Sequence, residues 1–376
     1  MAPVILELAK HPDRVQNVVC VTAQHRQMLD QVLDIFHIKP DFDLNLMEKN
    51  QTLAGLTAKV MTSLDPLLED IKPDWVLVQG DTTTVMTASL AAFYHNIKVG
   101  HIEAGLRTSN KRAPFPEEIN RRVASVLADL HFAPTERARE ALLSEGIPDE
   151  NISVTGNTVI DALLTALEDI RSNSNGSESA RYFSDLIPSL SPVFDLSYPL
   201  TLNPRLILVT GHRRESFGKP FEEICLALRD IVQLFPDVHI IYPVHLNPNV
   251  REPVYRILND VAQIHLIEPL SYLPFLYLMD KSYCILTDSG GIQEEAPSLG
   301  KPVLVIRETT ERPEGIEAGC SVLAGVTRDS IVNLTRRLLT DEAMYARMSH
   351  ARNPYGDGHA AERIVERLIN AGKGGE

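Results

Sequence analysis

The chain has 376 residues and a net charge of −14, with 44% hydrophobic and 23% charged residues. This length suits two domains better than one core, and the acidic balance argues against binding to nucleic-acid phosphates. No apolar run approaches the roughly 20 residues of a membrane span. The four cysteines are scattered without a CxxC pair, which predicts free thiols in a reducing, cytoplasmic setting and no zinc site.

Short apolar runs rich in β-branched residues recur along the chain, and helical patterns lie between most of them. Continuous rather than alternating apolar strands are typical of parallel sheets covered on both faces. Two such series predict an α/β protein with two Rossmann-like, doubly wound domains. The strands are expected at 18–21, 75–78, 98–102 and 152–154 in the first series, and at 206–209, 239–242, 284–286 and 302–306 in the second.

The composition also suggests where the domains divide. We expect an N-terminal domain over 1–170 and a C-terminal domain over 205–358. Between them, 171–204 is rich in Ser, Asn, Gly and Pro, which predicts a linker or surface excursion, with a short helix near 180–186. The final helical stretch, within 359–376, is expected to join the N-terminal domain.

Three carboxylates follow strands or begin a helix in the first domain. Asp81 or its neighbour Thr82 could simply cap a helix, Glu103 could form a structural ion pair with Arg107, and Glu117 suits the first turn of a helix. Carboxyl ends of parallel strands meet at one edge of a sheet, so these acids are expected to share a site. Such a site suits acid/base chemistry on a sugar.

In the second domain, basic residues and glycines follow the ends of the predicted strands. His212, Arg213 and Arg214 follow a strand and could hold phosphates, and His245 follows the next strand. Ser289, Gly290 and Gly291 open a helix, where bare N–H groups can face a diphosphate. Glu295 could accept ribose hydroxyls or merely occupy a favourable first turn, and Arg312 could lie in a solvated loop.

Taken in order, these segments resemble the non-hydrolysing bacterial UDP-N-acetylglucosamine 2-epimerases, which have the glycosyltransferase-B (GT-B) fold with the active site in the interdomain cleft. The resemblance rests on nine stretches: 22–30 (TAQHRQMLD), 79–84 (QGDTTT), 101–108 (HIEAGLRT), 116–120 (PEEIN), 155–162 (TGNTVIDA), 210–218 (TGHRRESFG), 242–253 (YPVHLNPNVREP), 287–302 (TDSGGIQEEAPSLGKP) and 311–314 (ERPE).

The resemblance implies interconversion of UDP-N-acetylglucosamine and UDP-N-acetylmannosamine without NAD, metal or other cofactor. The implied route is anti elimination of UDP to a 2-acetamidoglucal, followed by re-addition with C2 inverted. It also implies a cytoplasmic homodimer that supplies N-acetylmannosamine for cell-surface polysaccharide. Two other functions stay open: a GT-B glycosyltransferase that needs an acceptor, and an inactive, truncated protein that still binds a UDP-sugar.

The family's functional residues carry over onto matching positions. Asp81, Glu103, Glu117 and His212 match catalytic residues. The nucleotide-binding positions match or adjoin Arg213, His245, Ser289, Gly290, Gly291, Glu295 and Arg312. A possible allosteric site matches Gln24, His25, Arg26 and Gln27, although an arginine expected later in that site is replaced by Asn50.

The beginning of the sequence departs from the family pattern. Its first residues, 3–10, read as a helix, whereas members normally open with a strand and a Gly-Thr-Arg-Pro-Glu-type loop. We therefore expect that strand and loop to be missing, either because the start is misassigned or because the chain is damaged.

Overall fold

The computed structural model describes residues 1–23, 26–46, 48, 51–172, 174–194 and 204–372. The chain divides into two compact units, Met1–Ala162 with Tyr355–Glu376, and Leu163–Pro354. Within the described residues, no helix is both long enough and apolar enough to cross a membrane.

The first unit is built on parallel strands. β3, β4, β5 and β6 form a four-stranded sheet in chain order, and β1 pairs with β2 in a separate two-stranded sheet. The strands are β1 (Cys20–Val21), β2 (Phe42–Asp43), β3 (Trp75–Gln79), β4 (Lys98–Ile102), β5 (Leu130–Ala133) and β6 (Ile152–Val154). Its helices are α1 (Ala2–Leu8), α2 (Arg26–Ile35), α3 (Leu53–Ile71), α4 (Thr83–Tyr94), α5 (Glu117–Leu127), α6 (Glu136–Ser144), the start of α7 (Thr158–Ser172) and α16 (Ala360–Gly372).

Two layers of helices bury this four-stranded sheet. Apolar residues of α3 and α4 form one core with the inner positions of β3 and β4, including Val60, Val78 and Val99. On the other side, α1 and α16 pack together and bury Val4 and Ile364. The helix expected at the start of the chain is therefore present as α1.

The second unit has a six-stranded parallel sheet in the order β12-β11-β10-β7-β8-β9. These strands are β7 (Arg205–Thr210), β8 (Val238–Pro243), β9 (Ile264–Ile267), β10 (Cys284–Thr287), β11 (Val303–Val305) and β12 (Ser321–Leu323). The helices are α8 (Ser174–Leu186), α9 (Lys219–Leu234), α10 (Pro248–Leu258), α11 (Tyr272–Lys281), α12 (Gly290–Glu295), α13 (Pro313–Glu317), α14 (Arg328–Thr340) and α15 (Glu342–Ser349). Every strand predicted from an apolar run is present, and β2, β5, β9 and β12 are additional.

The segment 171–204 contains the short helix expected near 180–186, which is the end of α8. Its described part also forms a 3₁₀ helix over Pro188–Phe194. Phe183, Leu190 and Phe194 are fully buried in the core of the second unit, where the Phe183 ring stacks on Tyr277 with centroids 5.9 Å apart. The buried aromatic and leucine side chains, rather than the polar composition, decide the structure of this segment.

This packing predicts that Phe183→Ala lowers the free energy of unfolding of the second unit by about 3–5 kcal/mol, because it leaves a cavity beneath α8. Leu186→Ala is the control, since Leu186 lies on the same helix with 45% of its surface exposed. Urea unfolding followed by circular dichroism measures both. Equal losses below about 1 kcal/mol would contradict the burial of this segment.

Candidate functional site

Asp81 lies in the loop that follows β3, and residues of α5 hold this loop in place. Gly80 turns the chain with φ +82°, a conformation that favours glycine. The cap of α4 is Thr82, whose hydroxyl accepts the N–H three residues on at 3.3 Å. The Asp81 carboxylate instead pairs with the guanidinium of Arg121, and Asn120 Nδ2 donates to the Asp81 carbonyl at 3.0 Å. Of the two residues that could cap this helix, Asp81 and Thr82, the cap is therefore Thr82.

Glu103 leaves β4 beside the same loop. It has φ +63°, which is uncommon for a residue with a side chain, and a Cβ added at Gly80 would lie 3.7 Å from its Oε2. Beneath it the buried His101 ring bonds the Gly80 carbonyl through Nε2 at 2.8 Å. Burial lowers the pKa of His101 to about 4, so the ring is neutral and Nε2 donates. Arg107 pairs with Glu145 at 2.8 Å instead of being the expected partner of Glu103.

Glu117 is the first residue of α5 and is partly exposed. It shares a helix face with Asn120 and Arg121, the residues that hold Asp81. Its neighbour Glu118 is fully buried and accepts the Thr108 N–H at 3.1 Å, whereas Glu117 forms no hydrogen bond or ion pair among the described residues. Glu103 therefore lies beside the Asp81 loop, and Glu117 begins the helix whose Asn120 and Arg121 hold that loop.

Asp288 ties together the strand ends of the second unit. It follows β10, has 1% of its surface exposed, and its Oδ2 accepts the backbone N–H groups of His212 and Arg213 at 2.6 and 2.7 Å. The register of β7 against β10 pairs Thr210 with Thr287, so the two loops leave the sheet together. This carboxylate fixes the backbone of the segment that carries His212 and Arg213.

The two predicted histidines lie against each other. The rings of His212 and His245 stack with centroids 5.5 Å apart and planes 22° from parallel. His212 Nδ1 lies 3.2 Å from Asp288 Oδ1, and His245 Nδ1 accepts the N–H of Asn247 at 3.1 Å. His245 Nδ1 is therefore hydrogen-bonded to the backbone, whereas His212 Nδ1 lies close to a buried carboxylate oxygen without a hydrogen bond to it.

Two guanidinium groups approach the glycine that opens α12. A Cβ added at Gly290 would lie 3.9 Å from atoms of both Arg213 and Arg312. Arg213 Nε is buried without a hydrogen-bond partner among the described residues. Ser289 precedes Gly290 without capping α12 through its side chain, and Gly291 is exposed. The arrangement leaves cationic groups and backbone N–H groups available to an anion.

The neighbouring glutamates have different environments. Glu294 is buried and pairs with Arg312, so that arginine is not in a purely solvated loop. Glu295 is partly buried, and burial followed by the repulsion of Glu294 raises its pKa to about 7. Glu295 is thus the acid of this pair that can change its charge near neutral pH.

A cavity of about 210 Å³ opens beside these residues within the second unit. His212, His245 and Ser289 line it together with apolar residues that the sequence analysis did not single out: Pro269, Leu270 and Phe275. An aromatic side chain and a proline beside a phosphate-type cradle can hold a flat ring. Phe275 belongs to α11 and reads in the sequence as an ordinary core residue.

The predicted allosteric segment lies largely outside the described residues. Gln24, His25 and Asn50 lie outside the described residues, as does the side chain of Gln27. Arg26 begins α2 and pairs with Asp30 at 3.0 Å and with Asp43. No group of three or more His, Cys, Asp and Glu side chains in the described ranges could hold a metal ion.

Parallel α/β sheets with glycine, arginine and histidine at the strand exits are typical of nucleotide-binding α/β proteins. A family model described as UDP-N-acetylglucosamine 2-epimerase matches residues 6–369. The chain belongs to the UDP-N-acetylglucosamine 2-epimerase family. The predicted α/β fold of the GT-B type is also that of its structural neighbours and is confirmed.

Individual relatives agree with this membership. The UDP-N-acetylglucosamine 2-epimerase of Bacillus subtilis (strain 168) is 55% identical over 98% of this chain and 91% of its own length, and that of Escherichia coli K12 is 54% identical over 98% and 95%. A crystal structure of UDP-GlcNAc 2-epimerase from Neisseria meningitidis bound to UDP-GlcNAc has a TM-score of 0.85, 50% identity, and coverage of 98% and 96%. Because the alignments cover this chain, they do not support the expected loss of a first strand and loop.

The site predicts an unusual titration for Glu295. A ¹³C NMR titration should give its carboxyl a pKa near 7, because burial and Glu294 both disfavour the charged form. Between its ordinary value of 4.5 and about 7, the folded chain then holds one more proton than the unfolded chain. The free energy of unfolding should therefore fall as pH rises through this window, relative to Glu295→Gln. A midpoint near 4.5 would contradict the prediction.

Proposed function

We propose that this protein interconverts UDP-N-acetylglucosamine and UDP-N-acetylmannosamine by inverting the sugar at C2. The observation that carries the proposal is the family match over residues 6–369, together with relatives named as epimerases at 54–55% identity. The neighbour from N. meningitidis is bound to UDP-GlcNAc, which supports the same ligand here. The three clustered carboxylates supply the acid/base groups that such a reaction requires.

The proposed reaction is an elimination followed by an addition. A base takes the C2 proton, the C2–H electrons form the C1=C2 bond, and the C1–O bond breaks with its electrons on the β-phosphate oxygen. This leaves 2-acetamidoglucal and UDP. UDP then adds back at C1 while a proton reaches C2 on the opposite face, so atoms balance and nothing is oxidised overall.

Inversion at C2 calls for proton transfer on both faces of the sugar, and one carboxylate cannot serve both. We assign these transfers to Asp81, Glu103 and Glu117 as a group. Arg121 and Asn120 hold the Asp81 loop, so they position this acid without reacting themselves.

We assign UDP to the second unit. Arg213, Arg312 and the N–H of Gly290 suit the diphosphate, because an arginine fork can bind two phosphate oxygens at once. His212 and His245 line the cavity together with Ser289, and Gly291 follows Gly290 at the start of α12. Phe275 and Pro269 offer an apolar slot for the uracil, and Glu295 can accept hydrogen bonds from ribose hydroxyls in its ionised form.

Several features expected from the resemblance stay predictions. These are the homodimer, the cytoplasmic location, supply of N-acetylmannosamine for cell-surface polysaccharide, the position of the site in the interdomain cleft, and the allosteric role of residues 24–27.

The reaction itself is tested by incubation with UDP-N-acetylglucosamine alone and chromatography of the products. UDP-N-acetylmannosamine should form up to an equilibrium. A sugar nucleotide that stays unchanged until an acceptor is added would indicate the glycosyltransferase, and free UDP with free sugar a hydrolysing enzyme.

The carboxylates give a prediction about turnover. Asp81→Asn and Glu117→Gln should each lower kcat about 100-fold or more, because an amide cannot transfer the proton. The Kd for UDP, measured by calorimetry, should change less than about three-fold. Glu136→Gln is the control, since this acid begins α6 with its side chain 70% exposed. Parallel losses of binding and turnover would assign these residues to recognition instead.

Adjacent arginines give a prediction about binding. Arg213→Ala should raise the Kd for UDP about ten-fold or more, which corresponds to about 1.4 kcal/mol, since a guanidinium that lies near Gly290 with its Nε buried is lost. Arg214→Ala removes the same charge from an exposed neighbour and should leave the Kd nearly unchanged. Equal effects of the two substitutions would show that only net charge matters.

A further inference from the structure

The hydrogen-bonding partners of His212 and His245 differ in kind. His212 Nδ1 faces Asp288 Oδ1 at 3.2 Å, and a carboxylate oxygen can only accept. His245 Nδ1 faces the backbone N–H of Asn247 at 3.1 Å, and that group can only donate. In a neutral imidazole one nitrogen carries the hydrogen and the other a lone pair, so each partner selects a tautomer.

One of the two carboxylate oxygens of Asp288 remains able to accept a hydrogen bond from His212. Its Oδ2 already accepts the N–H groups of His212 and Arg213. Its Oδ1 is buried and forms no hydrogen bond among the described residues. His212 Nδ1 lies 3.2 Å from this oxygen, but without the alignment that a hydrogen bond needs. A small rotation of the half-exposed imidazole would complete that bond and remove the cost of an unsatisfied buried acceptor.

We propose that Asp288 is a positioning residue that keeps the proton of His212 on Nδ1, while Asn247 keeps that of His245 on Nε2. The two stacked rings then present opposite groups to the cavity. His212 offers the lone pair of Nε2, and His245 offers an Nε2–H donor.

The consequence for the reaction rests on the proposed function. His212 can take a proton from solvent at Nε2 while its Nδ1–H stays directed at Asp288. The Nε2–H can then donate a hydrogen bond to the β-phosphate oxygen as the C1–O bond breaks and its electrons move to that oxygen. His245 cannot gain a second proton at Nδ1 without displacing the N–H of Asn247. His212 is thus the ring suited to become positively charged as negative charge develops on UDP. His245 stays neutral and donates a hydrogen bond to the phosphates.

The test is a long-range ¹H–¹⁵N correlation spectrum of the imidazoles in the unliganded full chain at about pH 8.5, well above the ordinary histidine pKa. His212→Asn and His245→Asn assign the signals. We expect the lone-pair nitrogen to be Nε2 in His212 and Nδ1 in His245. The opposite tautomer, or an even mixture, in either ring would overturn the proposal.

Two variants separate the role of Asp288 from general loosening of the loops. In Asp288→Asn the amide can point a donor at His212, so the Nδ1–H preference of that ring should be lost while His245 is unchanged. Thr287→Val removes a buried hydroxyl that bonds Thr210 at 2.6 Å and the Ser289 N–H, without touching either ring. It should preserve both tautomers.

A change of the His212 tautomer in Thr287→Val, or none in Asp288→Asn, would contradict the proposal. If Asp288→Asn does not fold, the wild-type spectrum still decides which nitrogen is protonated. Turnover adds a second readout, since Asp288→Asn should lower kcat about ten-fold or more while the Kd for UDP changes less than about three-fold. Because the spectra need no substrate, they stay decisive even if the protein does not turn over UDP-N-acetylglucosamine.

Discussion

Parallel strands end at one edge of a sheet, and in both units polar side chains hold the loops at that edge in place. In the first unit, Arg121 and Asn120 of α5 reach back to Asp81. In the second unit, Asp288 after β10 accepts two backbone N–H groups from the loop after β7. Residues that are 39 to 76 positions apart in sequence are thereby held within hydrogen-bonding distance. The roles proposed for Asp81, His212 and Arg213 depend on these contacts.

The two edges differ in charge, which fits the chemistry assigned to each. The first carries three carboxylates, and proton transfer at C2 needs groups that can both take and give a proton. The second carries Arg213, Arg312 and two histidines, and an outgoing diphosphate needs donors and positive charge. The overall charge of −14 gave no sign of this basic edge, because ligand binding depends on local rather than net charge.

The strands and most site residues could be predicted because their signals are local. A continuous apolar run indicates a buried parallel strand, and polar residues directly after it must lie at the binding edge. Residues whose role depends on tertiary packing could not be predicted in this way. Phe275 reads as a core residue until the fold places it at the cavity, and Asp288 gains its role only from the register of β7 and β10. The short helix expected near 180–186 is present, but the polar composition of 174–186 did not indicate that Phe183 is buried in the core.

The central claim is that C2 of the sugar loses and regains its proton while UDP leaves and returns. An NMR time course of UDP-N-acetylglucosamine in D₂O, with enzyme and no acceptor, follows that proton directly. The account predicts that deuterium enters C2 as the signals of UDP-N-acetylmannosamine grow, with each molecule of product carrying the label. Product that forms with its C2 proton retained would contradict elimination, and a C2 proton that never exchanges, without product, would contradict the epimerase itself.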